Sequence, residues 1–309
     1  MKKIGTFFRI VKRSAQSFSD DDGMKLSASL AYSTIFAIAP FLVIIISLAG
    51  SVFGIEAVRG NVYGQIKGLV GPEAALQIQS IIANVELKDQ SIWGTIVGGV
   101  VLIITATGVF TEIQGSINYM WGIKAKPKKG LLKLLINRLI SFSLVVSVGF
   151  ILLVSLILNS LMDIFYAKLQ RMFDNTSVNI LYAINLLFIF LVITSLFTIM
   201  FKILPDAKIR WRDSRAGASF TAILFIVGKF LIGFYIGNSK LGATYGTAAS
   251  IVVVLLWVYY TSIILYFGAE YTKVHSQELG AGIAPDEQAV YIIKTESKEI
   301  PVAKSSKQA

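Results

Sequence analysis

The sequence contains no cysteine, a single histidine and few charged residues, and each shortage excludes a class of chemistry. Without cysteine there is no disulfide framework, no thiol nucleophile and no cysteine-ligated metal. His275 alone cannot supply the ligand clusters of common metal sites. Charged residues make up only 15% of the chain, against about 25% in soluble domains. The composition therefore points away from water-soluble enzyme chemistry.

Recognisable catalytic motifs are missing as well. No group of His, Asp and Glu has the spacing of metal ligands, and there is no nucleophile elbow, Walker loop or dinucleotide fingerprint. We therefore expect a protein that is not an enzyme, has no catalytic residues, binds no metal and uses no cofactor.

Apolar residues are what the sequence has in excess, at 55% of 309 residues with a mean hydropathy of +0.69. They form six stretches, each close to the ~20 residues that a helix needs to cross a membrane. The sequence therefore predicts an all-α, polytopic membrane helix bundle with six transmembrane helices. The predicted spans are Leu26–Ser51, Ile92–Glu112, Leu139–Ser160, Ile180–Lys202, Ala216–Ile236 and Ala249–Glu270.

The 29 lysines and arginines are distributed unevenly between the connections. Most lie before the first span, in the second and fourth connections and after the last span, whereas the odd-numbered connections hold few. Because basic residues concentrate on the cytoplasmic side of membrane proteins, both termini are predicted to be cytoplasmic. The net charge of +11 indicates attraction to anionic lipid headgroups and not a nucleic-acid surface.

Three regions follow from this pattern. Residues 1–25 are predicted to be a basic cytoplasmic amphipathic segment, 26–275 the six-span membrane domain and 276–309 a flexible cytoplasmic tail. The first outer connection, Val52–Ser91, repeats apolar residues at helical spacing and predicts short amphipathic helices. The last connection, Gly237–Thr247, is short and rich in glycine, so the fifth and sixth spans are expected to form an antiparallel hairpin.

Polar residues within the spans are the candidates for a substrate-binding site. Lys229 lies about 20 Å along the fifth span from its inner start. A lysine at such a depth costs ~2.5–3.5 kcal/mol, so it needs a partner, a water-filled cavity or a route to the outer headgroups. Pro40 lies at a similar depth in the first span and predicts a kink, either structural or substrate-lining, one to two turns after Tyr32 and Ser33. These four residues form the hypothetical site, with snorkelling of Lys229 to headgroups as the alternative.

A second group of charged residues lies at the inner ends of the spans. Depth alone allows them to form a salt-bridge cluster with a gating or structural role. Just after the second span, Asn118 and Trp121 are expected near the membrane surface, where tryptophan commonly anchors. The members of the predicted cluster are Glu112, Arg212, Arg215 and Glu270.

Short stretches in a specific order and spacing are spread along the chain. They are Leu30–Ser33 through Ala39–Pro40, Ile117–Gly122, Leu204–Asp206, Trp211–Asp213, Gly217–Ala218, Tyr245–Thr247, Leu256–Tyr259 and Gly268–Glu270. Together they resemble the YihY/BrkB family of bacterial inner-membrane proteins, formerly labelled ribonuclease BN. The resemblance covers about residues 20–275 and implies six spans, cytoplasmic termini and a multi-pass location in the bacterial inner (plasma) membrane.

The resemblance and the polar residues together suggest a function in the cell envelope. We expect an integral inner-membrane transporter or lipid-handling protein for an amphiphilic anionic substrate. The expected partners are anionic membrane lipids and no nucleic acid, and envelope protein partners and a homo-oligomer stay open. The alternative is a non-transporting scaffold that recruits envelope proteins through its basic inner loops and tail. Ribonuclease activity is not expected, because phosphodiester hydrolysis usually needs metal-binding carboxylate or histidine clusters.

Overall fold

The structure is a computed structural model that describes residues 2–37, 76, 79, 108–126, 175–238, 249–287 and 289–292. These residues form helical segments and four short strands. In chain order the elements are α1 (Lys2–Asp20), α2 (23–37), α3 (108–120), β1 (Ile123–Ala125), α4 (Asn175–Ile203), β2 (Ala207–Lys208), α5 (Trp211–Asn238), α6 (Ala249–Leu279), β3 (Ala284–Pro285) and β4 (Ala289–Tyr291).

Three of these helices are long and apolar enough to cross a membrane: Leu186–Ile203, Trp211–Ile236 and Ile251–Leu279. They coincide with the predicted fourth, fifth and sixth spans. Of the predicted first and second spans, the described parts, 26–37 and 108–112, are helical. The predicted third span lies outside the described residues. In the first outer connection only residues 76 and 79 are described, and both are helical.

The helices α5 and α6 form the predicted antiparallel hairpin, and glycine–threonine pairs join them. A Cβ on Gly217 would overlap the Thr272 side chain, and a Cβ on Gly268 would overlap Thr221. Each threonine hydroxyl donates to a carbonyl one turn earlier, Thr221 to Gly217 at 2.8 Å and Thr272 to Gly268 at 2.7 Å. Further along, Gly228 lies against Tyr260. Small residues let membrane helices approach closely, which strengthens their packing.

The helix α1 is amphipathic, and one stripe of it packs onto the last part of α6. Ile10, Ser14 and Phe18 lie at helical spacing on this stripe and are at most 9% exposed. Ile10 joins a small core with Val274 of α6. The predicted basic amphipathic segment is therefore a helix with one stripe against the helix bundle, while Arg9, Lys12 and Arg13 stay exposed.

A two-residue turn joins α1 to α2. Asp22 has a φ of 55°, a left-handed conformation that aspartate adopts more readily than most residues. Gly23 follows because the Phe18 ring occupies the space that a Cβ would need. The Ser27 hydroxyl donates to the Gly23 carbonyl at 2.7 Å, within the first turn of α2. The acidic run therefore changes the chain direction and begins the next helix.

The core lies where α3, α4, α5 and α6 meet. Ile117 and Met120 of α3, Phe201 of α4 and Tyr266 of α6 are all 0% exposed. Trp121, expected near the membrane surface, is instead buried at 5% exposure, and its indole Nε1 donates to the Ala269 carbonyl at 3.0 Å. α3 ends at residue 120, and Gly122, with a φ of 68°, turns the chain into β1.

Two short antiparallel sheets are an addition to the predicted all-helical fold. In one, β1 pairs with β4, and in the other β2 pairs with β3. The segment from 276 onward, predicted as a flexible tail, therefore continues α6 to Leu279 and then supplies both partner strands. Backbone pairing with β1 and β2 orders this segment, because each strand satisfies amides and carbonyls that a free tail would leave to water.

Candidate functional site

Lys229 lies on the packed stripe of α5 and not on its exposed stripe. Ala218 and Ala222, eleven and seven residues earlier, occupy the same side of the helix and are both 0% exposed. Val227, two residues before Lys229, is 52% exposed on the opposite side. The Lys229 ammonium is half-buried and lies 5.2 Å from the centre of the Phe230 ring. The side of α5 that carries Lys229 therefore faces the protein.

The predicted substrate-binding residues of the first span are placed only in part. Tyr32 is 66% exposed and makes an edge contact with the Phe36 ring at 5.1 Å between centroids. Ser33 is half-buried. Pro40 lies outside the described residues. No described contact joins Tyr32 or Ser33 to Lys229, so their meeting in one site stays a prediction.

The four residues of the predicted charge cluster do not come together. Glu112 accepts a hydrogen bond from the Ser29 hydroxyl at 2.7 Å. Glu270 is completely buried where α6 meets α3 and the end of α1. Arg212 and Arg215 lie on exposed positions in the first turns of α5. In the described part of the chain neither arginine pairs with Glu112 or Glu270, because both basic side chains lie on the exposed side of α5.

Glu270 instead belongs to a buried group with Lys273 and Asp21. The Lys273 ammonium lies 3.1 Å from Asp21 Oδ2 and 3.1 Å from Glu270 Oε2. It also donates to the Met120 carbonyl at 2.6 Å. One cation therefore connects the turn after α1, the end of α3 and the end of α6. These three side chains can hold charge, and can bind a proton, in a place from which water is largely excluded.

Asp206, between α4 and β2, is the centre of a second polar group. Its carboxylate accepts hydrogen bonds from Asn118 Nδ2 at 2.8 Å and Gln114 Nε2 at 3.3 Å. Its backbone amide donates to Asn118 Oδ1 at 2.9 Å, and its carbonyl accepts from the Asp286 amide at 3.0 Å. These bonds join the end of α3 to the connection between α4 and α5 and to the C-terminal segment.

Asp213, near the start of α5, forms a third polar group with the end of α6. Its carboxylate accepts from the Ser276 hydroxyl at 3.3 Å, and Arg210 Nε and His275 Nδ1 each lie 3.9 Å from one of its oxygens. Gly280 is needed beside it, because a Cβ there would overlap the carboxylate. The single histidine thus lies beside a carboxylate, in a position that we interpret as structural.

An exposed ion-pair group lies where β2 and β3 meet. Lys208 Nζ is 3.4 Å from Glu287 Oε1 and 3.4 Å from Asp286 Oδ1. Hydrogen bonding to Glu287, and then to Asp286, raises the pKa of Lys208 above its ordinary value. Because all three side chains are more than half exposed, water screens the attraction and these pairs add little to stability.

Sequence reasoning missed most of the residues that form these polar groups. Asp21 and Lys273 are not among the candidate residues that the sequence singled out. The spacing of Glu270 and Lys273, three residues apart on one helix, was an available signal for a pair. Their contact with Asp21 was not available, because it joins residues separated by 252 positions.

We call the end of the molecule formed by residues 118–126, 203–215 and 270–292 the basic end, since several exposed lysines and arginines lie there. The three polar groups around Glu270, Asp206 and Asp213 lie at this end. The three apolar helices of membrane length extend from it. Within the described ranges, no three His, Asp or Glu side chains approach one another as metal ligands would. Long apolar helices that are mostly unburied, with polar groups gathered at one end, define a membrane protein.

The chain belongs to the family described as virulence factor BrkB, whose family model matches residues 14–291. This match confirms the resemblance found in the sequence. Among curated proteins, it is 25% identical over 271 residues to a UPF0761 membrane protein of Psychrobacter sp. (strain PRwf-1), covering 86% of this chain and 48% of that protein.

Further curated relatives carry the same description. A UPF0761 membrane protein of Alcanivorax borkumensis is 26% identical over 275 residues, covering 87% of this chain and 60% of the relative. Another, from Pseudoalteromonas atlantica, is 26% identical over 256 residues, covering 82% of this chain and 81% of the relative. The chain thus spans about half to three-fifths of the length of the first relatives it matches. No solved structure matches it.

Proposed function

We propose that this membrane protein transports, or otherwise handles, an amphiphilic anionic substrate of the cell envelope. In this proposal the chain crosses the bacterial inner membrane six times, with both termini and the basic end in the cytoplasm. The observation that carries the proposal is the place of Lys229, a cation on the packed side of a membrane-length helix.

The depth of Lys229 along α5 favours a role in binding inside the helix bundle over a purely structural role. It lies 18 residues after Trp211, or about 27 Å along the helix from the basic end. Ionisable residues inside membranes usually face the interior of a bundle or a water-filled cavity, where they contact substrates or partners. A fixed cation at this depth suits a phosphate or carboxylate headgroup.

The surroundings of Lys229 suit the apolar part of such a substrate. Phe230 is 56% exposed and its ring lies 5.2 Å from the Lys229 ammonium, so an acyl chain can contact an apolar side chain beside the cation. A headgroup held by Lys229 would therefore stand beside a surface that accepts hydrocarbon. An amphiphile matches this pairing of one cation with apolar side chains better than a small hydrophilic anion does.

Native mass spectrometry of the detergent-released full chain tests the proposal. Wild type is compared with Lys229→Met and with Lys124→Met, a control that removes the same charge from an exposed position on β1. We expect an anionic lipid or envelope precursor to be retained by wild type and by Lys124→Met, and lost from Lys229→Met. Equal retention by all three proteins would exclude Lys229 from the site and remove the main support for the proposal.

A scaffold that recruits envelope proteins is the second candidate, and the surface of β4 favours it. Val290 and Tyr291 are 40% and 61% exposed there, next to exposed Lys124 on β1. Val290→Glu places a charge on this exposed surface and keeps the backbone pairing of β4 with β1. A scaffold is expected to lose its partners in a pull-down with this variant, whereas lipid retention by a transporter is expected to survive.

A further inference from the structure

The group formed by Asp21, Glu270 and Lys273 is the most deeply buried charged cluster in the described part of the chain. The side chain of Glu270 is 0% exposed, that of Asp21 9% and that of Lys273 17%. Each of the two carboxyl groups lies 3.1 Å from the same ammonium, so the acids are near neighbours. The helices α3 and α6 and the turn after α1 surround the cluster, so water has little access to it.

The charges of this cluster do not balance when both acids are ionised. Two carboxylates then share one ammonium, which leaves one negative charge uncompensated in a nearly dry place. Uncompensated buried charge is strongly unfavourable, and two adjacent carboxylates generally hold a proton between them. One added monovalent cation restores neutrality.

One oxygen in the cluster is positioned to receive that cation. Glu270 Oε1 accepts a hydrogen bond from Lys273 at 3.2 Å. Glu270 Oε2 lies 3.1 Å from the same ammonium but outside hydrogen-bonding geometry, and it has no hydrogen-bond partner. An oxygen so fully buried normally has a partner, so this one has a vacant bonding direction.

We propose that Asp21 and Glu270, held together by Lys273, form a proton-binding site at the basic end of the protein. The proton is taken from water onto one carboxylate oxygen, which becomes a hydroxyl, and Lys273 stays charged. The two carboxyl groups then carry one negative charge between them, which the Lys273 ammonium balances. A proton fits because it needs no room and no further ligands.

A polar strip continues from this site along the seam between α3 and α6. One turn before Glu270 lies Tyr266, which is 0% exposed and whose hydroxyl is beside Ser116 of α3. Glu112 lies one turn before Ser116 on the same helix α3. The groups that face the site are thus the Lys273 ammonium, the Met120 carbonyl and this strip, and they come from α3 and α6.

Binding of a proton at this site would change the contact between α6, the turn after α1 and the end of α3. Lys273 joins the turn after α1 to Met120 at the end of α3, and the strength of its contacts depends on the charge of the two acids. Proton binding itself does not depend on the proposed transport function. Coupling of proton movement to transport would rest on that function, whereas the site itself requires only that a proton binds.

Infrared difference spectroscopy of the purified full chain at two pH values tests the site, because a protonated carboxyl group has its own C=O band. Wild type is compared with Glu270→Gln and with Glu278→Gln. Glu278 is the matched control, because it lies on the same helix but pairs with exposed Arg13 outside the cluster. We expect a carboxyl band in wild type that persists in Glu278→Gln and disappears in Glu270→Gln. The same band in all three proteins would overturn the proposal.

Two further arms keep the test decisive. If Glu270→Gln does not fold, Asp21→Asn removes the excess negative charge and leaves Glu270 in place. The midpoint of the band is then expected to move by roughly tenfold in proton concentration, and an unmoved midpoint contradicts the site. A band that responds to Na⁺ at constant pH would assign the site to a metal cation instead. None of these readouts depends on whether Lys229→Met loses a lipid.

Discussion

The two halves of α5 are held in different ways. In the half at the basic end, Asp213 bonds to the end of α6, and Gly217 and Thr221 lie in close contact with the same helix. In the far half, large apolar side chains such as Phe234 are exposed, and Lys229 is a cation among them. Both halves belong to one continuous helix, so the difference comes from what surrounds it.

This difference separates polar residues that hold the fold from polar residues that are available to a ligand. At the basic end two acids have protein donors, Asn118 for the half-buried Asp206 and Ser276 for the buried Asp213. Removing one partner there leaves a buried group unsatisfied and costs stability. Lys229 lies beside the Phe230 ring on a helix segment with many exposed apolar residues, and we expect its replacement by an apolar residue to cost binding more than folding.

The largest expected effect is that of Lys273→Met. The substitution removes the cation between Asp21 and Glu270, and breaking a buried charge pair costs about 3–5 kcal/mol. We expect a marked fall in the thermal unfolding midpoint of the detergent-solubilised protein, with Lys124→Met unchanged as the control. Equal midpoints for the two variants would show that the buried cluster does not hold the basic end together.

The contact between α5 and α6 gives the next largest effect. Gly217→Ala forces a methyl group into the Thr272 side chain, and overpacking of this kind costs about 2–3 kcal/mol. Gly115→Ala is the matched control, because no atom lies within 4 Å of the added Cβ. There the gain in helix propensity is expected to add up to about 1 kcal/mol. Midpoints that move in the same direction would contradict the close approach of α5 and α6.

A smaller effect is expected from Asn118→Ala. It removes two hydrogen bonds to Asp206 and leaves a buried amide and carboxylate oxygen less satisfied, at a cost of about 1–2 kcal/mol. Hydrogen exchange should become faster in residues 204–208. Gln114→Ala removes only one longer bond and should change exchange less. If the two variants behave alike, Asn118 is not the residue that orders this connection.

The smallest effect is expected from Lys208→Met. The lysine and both acidic partners are exposed, and its raised pKa keeps it charged throughout the neutral range. We expect no measurable change in the unfolding midpoint and unchanged hydrogen exchange in β2 and β3. A loss comparable with that of Asn118→Ala would mean that side-chain ion pairs, and not backbone pairing, hold the C-terminal segment in place.

Local patterns in the sequence were sufficient for the helices and their pairing. The fourth, fifth and sixth spans were predicted because continuous apolar stretches of this length suit a membrane. The antiparallel arrangement of α5 and α6 followed from the short connection between them. Gly217 and Gly228 were predictable as contact points, since small residues mark close helix packing in membranes.

The polar groups were not predictable in the same way. The predicted cluster of Glu112, Glu270 and two arginines grouped residues by depth, but depth does not say which side of a helix a residue occupies. Glu270 faces Lys273 and Asp21, whereas Arg212 and Arg215 point outward. Likewise, no local pattern distinguishes a polar tail that stays free from one whose backbone pairs with two distant connections.

The sequence by itself determined that this chain is a helical membrane protein, since its apolar stretches, sparse charge and family motifs are local properties. Only the tertiary structure decided that Lys229 is on the packed side of α5 and that Asp21 and Glu270 share Lys273. It also decided that the strands after α6 pair with β1 and β2, in connections far away along the chain. The physical reason is that hydrophobic length is written along the chain, whereas the partners of a buried charge depend on which distant segments pack beside it.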